Sequence, residues 1–425
     1  MVASSPRDRG PRHVGNQAHA IGTDHPLLRW KWAYGRRFRA PANIVMIGDS
    51  TTWGGGASPV GQPSGGSFST QQLAMWGWER TSLPRKLQAL LNQVPNYGYI
   101  EANATVGGGY GVRTATINET SVLRPFVLTG GSPPTLASPA RGVGLNSVVI
   151  PTGATLAYTA KSATGFLWIF EDGASSGRAQ FTITNASGSI VSQAWNSQNT
   201  GLAQYTRSIA GIGDLPRGQY TITFDSTPSA NPVIDYLYVI DSDQQCGVRV
   251  HNWAWPGVGA LEFGDGGGAG GTALQASTST QAVTTINPEL LIIMLGTNDY
   301  GGSPQYSAAN MGVQLGKIID NYRNAINASA PNKTCVLVVA WMKRYDKTTG
   351  ITDTWLTYVN TMRTVAASKV NCDFLDLSPW FAPDQTTDDA EGDLIGTDGV
   401  HGTVRGYDLA ATLIAERLMA PYSAA

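Results

Sequence analysis

Five short apolar runs, each leading into glycine or polar residues, constrain this chain more than any other feature. Ile44-Val45-Met46-Ile47 ends at Gly48-Asp49-Ser50, and Val248-Arg249-Val250 leads to Asn252 and Gly257. Leu290 to Leu295 runs into Gly296-Thr297-Asn298-Asp299, and Val336 to Ala340 and Phe374 to Leu377 complete the series. Nearly continuous apolar runs of this length suit parallel strands covered on both faces. Between them lie helical periods: Leu83, Leu87, Leu90 and Leu91; Met311, Leu315, Ile318, Ile319, Tyr322 and Ile326; Trp355, Val359 and Met362. A last helix holds Leu409, Leu413 and Ile414. Strand alternating with helix predicts a doubly wound α/β sheet. Ligands of such sheets bind beyond the carboxyl ends of the strands, which is where the polar residues fall.

One stretch breaks the alternation. Between the first amphipathic helix and Val248 the sequence shows period-two segments: Thr155-Leu156-Ala157-Tyr158, Gly165 to Phe170, Gln180 to Ile183, Gln219 to Phe224 and Val233 to Ile240. Turn-forming residues separate them, as in Asn185-Ala186-Ser187-Gly188. This pattern reads as an antiparallel β-sandwich, inserted because the α/β pattern resumes after it. The expected organisation is an N-terminal arm at 1–40, an α/β domain at 41–111 and 245–425, and a sandwich at 112–244. At 425 residues the chain has room for two such units. The arm holds three of the five His (His13, His19, His25) and several Arg, and reads either as a weakly ordered extension or as a segment that docks on a partner. It has no apolar signal-peptide core, so an extracellular or virion-associated role is expected to use a route other than a cleaved leader.

Composition removes several classes of function. Hydrophobic residues at 42% against charged residues at 14% exclude a chain kept disordered by its charge. A net charge of −1 argues against a protein whose main work is holding nucleic-acid phosphates. The longest aliphatic run, Leu290 to Leu295, falls far short of a membrane span. Cys246, Cys335 and Cys372 cannot make a disulfide framework and match no zinc spacing, so free thiols and no metal are expected.

Ser50 follows a buried strand and precedes the turn Trp53-Gly54-Gly55-Gly56. A nucleophile suits that position, fixed by the sheet and beside backbone N–H groups that can meet an oxyanion. A turn-forming role for Asp49 and Ser50 explains the same three residues. A serine nucleophile needs a base, and outside the arm the chain offers only His251 and His401. His251 lies within a strand, as a core or strand-end imidazole would. His401 stands in Asp398-Gly399-Val400-His401, ahead of the last helix. A carboxylate three residues before a His can fold back onto its Nδ1–H and leave Nε2 for the serine. Asn298 could offer an amide N–H at the same sheet edge, and Gly257 lets a backbone N–H approach a substrate closely. Taken singly, Asn298-Asp299 as a turn cap and Gly257 as a bend account for these residues equally well.

Together, Gly48-Asp49-Ser50, the Gly257 turn, Gly296-Thr297-Asn298-Asp299 and Asp398-Gly399-Val400-His401 resemble the four signature blocks of the SGNH/GDSL hydrolase superfamily. The resemblance covers roughly residues 42–95 and 245–420 and implies a flavodoxin-like three-layer α/β/α fold with a five-stranded parallel sheet. It implies Ser50 as nucleophile, His401 as base and Asp398 as its orienting acid. The oxyanion hole would be built from Ser50, Gly257 and Asn298, with no cofactor. Gly107-Gly108-Gly109 competes with Gly257 for the glycine block; Val248 to Asn252 supplies the strand that block should follow. The insertion is similar in pattern to carbohydrate-binding jelly-roll modules, with Trp168, Trp195 and Tyr205 as candidate exposed aromatics. The expected activity is a serine esterase removing O-acetyl groups from carbohydrate. The alternatives are an acyltransferase or lipase on the same triad, or a virion or phage-tail glycan-binding component carrying the esterase. The expected partner is an acylated carbohydrate or other small ester, with no nucleic acid and no membrane span; an oligomer is compatible with all of this.

Overall fold

The computed structural model describes residues 25–37, 39–54, 82–92, 99–104, 127–131, 135–136, 148–172, 177–195, 207–226, 231–241, 247–254, 257–264, 283–284, 286–301, 306–347, 349–391 and 393–420. The chain begins with α1 (Leu28–Gly35), β1 (Ala42–Gly48), α2 (Ser50–Trp53) and α3 (Leu83–Asn92). Strands follow: β2 (Tyr99–Ala104), β3 (Val127–Gly130), β4 (Thr135–Leu136), β5 (Val148–Val149), β6 (Thr155–Ala163) and β7 (Gly165–Glu171). Next come β8 (Ala179–Asn185), β9 (Ile190–Trp195), β10 (Arg207–Ile212), β11 (Gly218–Ser226) and β12 (Val233–Asp241). The α/β pattern then resumes with β13 (Val248–Asn252), α4 (Ala260–Gly264), β14 (Leu290–Met294), α5 (Thr297–Gly301) and α6 (Ala308–Asn327). It closes with β15 (Cys335–Ala340), α7 (Trp355–Ala367), β16 (Cys372–Asp376), α8 (Gln385–Glu391) and α9 (Val404–Met419).

All five predicted apolar runs form one parallel sheet, in the order β13-β1-β14-β15-β16. Burial follows position in the sheet. Every residue of β14 and β15 is buried, whereas the edge strands β13 and β16 keep partly exposed residues. The central strands therefore need apolar residues on both faces, and each fully buried Ile, Leu or Val contributes roughly 1.5–3 kcal/mol. Helix contacts fall into two groups, α1 and α3 with α9, and α4 and α7 with α6, one for each face of the sheet. This is the flavodoxin-like three-layer α/β/α architecture. In that strand order the chain reverses direction across the sheet between β1 and β14, and a crevice opens at such a switch point.

Edges and helix starts are closed by short polar side chains. Asn92 and Gln88, one turn apart on α3, lie along the outer edge of β13. Asn92 accepts from Val248 N at 2.8 Å and donates to Val248 O at 3.0 Å, while Gln88 accepts from Val250 N at 2.9 Å. An edge strand is thereby satisfied without another strand. Ser307, Thr354 and Thr403 accept from the first-turn N–H groups of α6, α7 and α9, each cap worth about 1 kcal/mol. Cys335 and Cys372 are buried free thiols, and burial pushes the Cys372 thiol up to about 12; Cys246 lies outside the described residues. Among the described residues no helix is long and apolar enough to cross a membrane.

The inserted strands form two antiparallel sheets. One runs β10-β7-β12-β5-β4, with β2 also on β12, and the other β3-β6-β11-β8-β9. Alternation sets their inner faces: Phe181 and Ile183 on β8 and Tyr220, Ile222 and Phe224 on β11 are buried, and their neighbours in sequence are not. Trp168, one of the aromatics considered as a surface platform, belongs to this core. It shares the inner face of β7 with Phe166 and Phe170 and meets Phe181 edge-on at 4.3 Å between ring centroids. Trp195 is exposed on the edge strand β9, and Tyr205 lies outside the described residues. The pairing reaches further back in the chain than residue 112, because β2 lies antiparallel to β12 with Tyr99 opposite Asp241. Strands β2 and β12, far apart in the chain, therefore run side by side.

Candidate active site

The turn after β1 is tight. A side chain at Gly48 would place its Cβ 1.8 Å from Thr52 Oγ1 and 2.5 Å from Met294 O, so only glycine fits. Thr52 Oγ1 donates to Met294 O at 2.9 Å, tying α2 to the end of β14. Asp49 caps α2: its Oδ1 accepts from Thr51 N at 2.8 Å and Thr51 Oγ1 at 2.7 Å. The carboxyl is fully buried, and burial raises its pKa. Ser50 is thereby fixed as the first residue of α2, at the carboxyl end of β1.

His401 reaches Ser50 from the other end of the chain. Its Nε2 lies 2.7 Å from Ser50 Oγ, and its Nδ1 lies 2.5 Å from Asp398 Oδ2. The second carboxylate oxygen of Asp398 accepts from the Val400 and His401 backbone N–H groups, both at 3.0 Å. Burial pushes the Asp398 carboxyl upward, but the hydrogen bonds and the charge of His401 outweigh it and hold the group at about 2. The turn depends on Gly399, whose φ of +67° is a conformation glycine adopts without strain.

A strap of chain following β15, Trp341 to Asp346, holds that turn from outside. Tyr345 N donates to Gly399 O at 2.7 Å, and Trp341 Nε1 donates to Val400 O at 3.2 Å. The Trp341 ring stacks on Tyr407 of α9 and packs against Phe381. Sequence reasoning missed this strap. The one available signal was its position just past the carboxyl end of a buried strand.

Asn298 is tied to the loop after β13, at the residue beside Gly257 in sequence. Asn298 Nδ2 donates to Val258 O at 2.9 Å, and both carboxylate oxygens of Asp299 accept from Ala260 N at 3.0 Å. A Cβ at Gly259 would lie 2.8 Å from Asp299 Oδ1, so a glycine lets the carboxylate close on the loop. Gly257 has φ +83° and open space where a side chain would stand. Asn298 has a second amide hydrogen beyond the one given to Val258, and that hydrogen can meet a developing negative charge. Gly107-Gly108-Gly109, the competing glycine block, lies outside the described residues. His251 is buried on β13, where burial lowers its pKa to about 3 and keeps the ring neutral. Among the described residues no group of three or more His, Cys, Asp or Glu is arranged to hold a metal ion.

A hydroxyl, an imidazole and a carboxylate in series at a sheet switch point are the parts of an acyl-transfer site. Comparison with known proteins bears on the class. Residues 242–409 match the model of the GDSL-like Lipase/Acylhydrolase family. That match spans the Gly257, Asn298 and Asp398–His401 blocks and begins after Ser50, which the sheet returns to their side. The five-stranded parallel sheet with its helices fits the SGNH/GDSL α/β fold, and the segment 242–409 is similar to GDSL-like lipases and acylhydrolases. A solved structure described as "Peptidoglycan O-acetylesterase in action, 5 min" is similar over 93% of this chain and 96% of its own, with TM-score 0.59 and 14% identity. A carbohydrate esterase family 2 enzyme with a carbohydrate-binding domain, from Corynascus thermopiles (Myceliophthora fergusii), is 12% identical over 64% of this chain and 94% of its own, with TM-score 0.33. The salicylyl-acyltransferase SsfX3 of a tetracycline biosynthetic pathway is 10% identical over 70% of this chain and 96% of its own, with TM-score 0.30. No curated protein matches the chain.

Proposed function

We propose that this chain is a serine esterase that removes O-acetyl groups from carbohydrate through an acyl-enzyme on Ser50. The observation that carries the reading is the hydrogen-bonded series Ser50–His401–Asp398, with His401 Nε2 2.7 Å from the serine oxygen. Ser50 Oγ attacks the acetyl carbonyl while His401 Nε2 takes its proton. Asp398 holds the imidazole in the tautomer that leaves Nε2 open and stabilises the imidazolium. The tetrahedral oxyanion is met by the backbone N–H of Ser50, the backbone N–H of Gly257 and the free amide hydrogen of Asn298. His401 gives its proton to the departing sugar oxygen, which leaves as a hydroxyl, and water then repeats the sequence on the acetyl-enzyme.

The substrate rests on two supports. The structure described as a peptidoglycan O-acetylesterase shares the fold over almost the whole chain. The sandwich adds a second unit with an exposed Trp195 on its edge strand, an aromatic face on which a sugar ring can rest. We assign the arm to 1–40, the hydrolase to the segments on either side of the insertion, and the insertion to the sandwich, with β2 as its entering strand.

Acetate release from an O-acetylated polymeric glycan, measured beside hydrolysis of acetyl, butyryl and palmitoyl esters of one chromogenic alcohol, tests this reading. Acetate release and at least about a tenfold preference for acetyl over palmitoyl are expected, since each methylene a pocket rejects is worth roughly 1–3 kcal/mol. Turnover of the long-chain ester with no acetate from any glycan would move the activity to lipids.

A further inference from the structure

We propose that Arg344 is a positioning residue of the oxyanion site, acting through the side-chain amide of Asn298; the proposal rests on the reading of Asn298 as an oxyanion donor. Arg344 belongs to the strap that follows β15, so sheet order brings it beside the end of β14 and the start of α5. Its NH1 donates to Asn298 Oδ1 at 3.5 Å. The rest of the guanidinium is locked: Nε and NH2 donate to the two carboxylate oxygens of Asp346 at 2.9 and 2.7 Å. Its stem lies against Gly301, the last residue of α5, where a Cβ would come within 2.8 Å of Arg344 Cδ. The side chain is 13% exposed, so this is a seated cation and not a solvated one.

The physical consequence concerns the two ends of the Asn298 amide. A primary amide is nearly symmetric in shape, and either its oxygen or its NH2 can be turned toward a neighbour. Toward an oxyanion, one orientation stabilises and the other repels. A guanidinium has donors only, so it accepts the oxygen end and rejects the NH2 end. Val258 O makes the complementary demand on Nδ2. Arg344 and Val258 together leave one amide orientation, with the remaining N–H free to meet a developing charge. A cation on the carbonyl end also polarises the amide and strengthens that N–H as a donor. Asp346 holds the guanidinium plane and offsets its charge, which suits a role in orienting Asn298 better than one in attracting an anionic substrate.

The strap itself is held by Tyr345 N on Gly399 O and by Trp341 Nε1 on Val400 O. Substitution of Arg344 therefore leaves the backbone anchored. The test is a double-mutant cycle on the full chain with a small acetyl ester, comparing wild type, Arg344→Met, Asn298→Ala and the double variant. Arg344→Met should lower kcat by about tenfold with KM nearly unchanged, and Asn298→Ala by on the order of 10²–10³. The double variant should be no slower than Asn298→Ala alone. Arg344→Lys, which keeps a cation on a similar stem, should recover part of the loss. An Arg344→Met effect of equal size with and without Asn298 would overturn the proposal, as would a loss confined to KM or no loss at all. If Asn298→Ala were itself without effect, the oxyanion reading of Asn298 would fall first, and the cycle shows which of the two has failed.

Discussion

Ser50→Ala should lower ester hydrolysis by on the order of 10⁴-fold or more while leaving the fold intact. The turn that carries Ser50 is built by its neighbours. Gly48 provides the space, Asp49 caps α2 through Thr51, and Thr52 bonds the end of β14. The serine hydroxyl itself meets His401, so its removal takes away the nucleophile without releasing a structural bond of that turn. Circular dichroism and the melting temperature should match wild type, and kcat for a chromogenic acetyl ester should drop to the residual level set by binding and the oxyanion donors. A folded variant that kept a tenth of the wild-type rate would show that the acyl group is carried elsewhere.

The second large effect is expected at Asp398. In Asp398→Asn, the amide oxygen can still accept from the Val400 and His401 backbone N–H groups, which hold the turn at 3.0 Å each. Its NH2 would then face His401 Nδ1. A donor at that place forces the imidazole proton onto Nε2, the tautomer that cannot take a proton from Ser50. The loss should be on the order of 10³–10⁴ in kcat, as expected when geometry survives and the tautomer is wrong. The Asp398 carboxyl sits at about 2, so it stays ionised across any pH at which the enzyme is assayed. Any loss of rate on acidification within that range is therefore not set by protonation of Asp398. The sign for stability follows the same shift. A carboxyl depressed by folding adds stability above its ordinary value near 3.9, and that stability is lost as pH falls through about 2. A wild-type kcat in Asp398→Asn would contradict Asp398 as the group that orients His401.

How much of this was readable in the sequence differs by element. The parallel sheet was legible because β14 and β15 are buried on both faces and so must be apolar at every position. The helices over Leu83–Asn92, Ala308–Asn327 and Trp355–Ala367 carried their period in the buried stripe. Ser50 was legible as a short block at a strand end and Asp398 and His401 as one ahead of the last helix, and the structure brings the three within hydrogen-bond distance. The pairing of β2 was less legible. Strand β2 is identified by pairing with β12 far along the chain, and no local pattern announces a partner at that separation. Trp168 was considered as a surface ring, yet it shares parity with Phe166 and Phe170, and that alternation puts all three in the core. Arg344 had no sequence signature. A lone arginine in a loop gains its role from the adjacency of β14 and β15, which only the folded sheet provides.

The most direct measurement of the central claim is stoichiometric labelling with a fluorophosphonate, read by intact mass and peptide mapping. Such a reagent bonds to a serine oxygen only where a base removes its proton and donors receive the developing charge. One equivalent should add, inactivation should keep pace with labelling, and the modified peptide should contain Ser50, with no labelling in Ser50→Ala. Full inactivation with the label on another residue, or full activity after complete modification of Ser50, would contradict the assignment of Ser50 as the nucleophile.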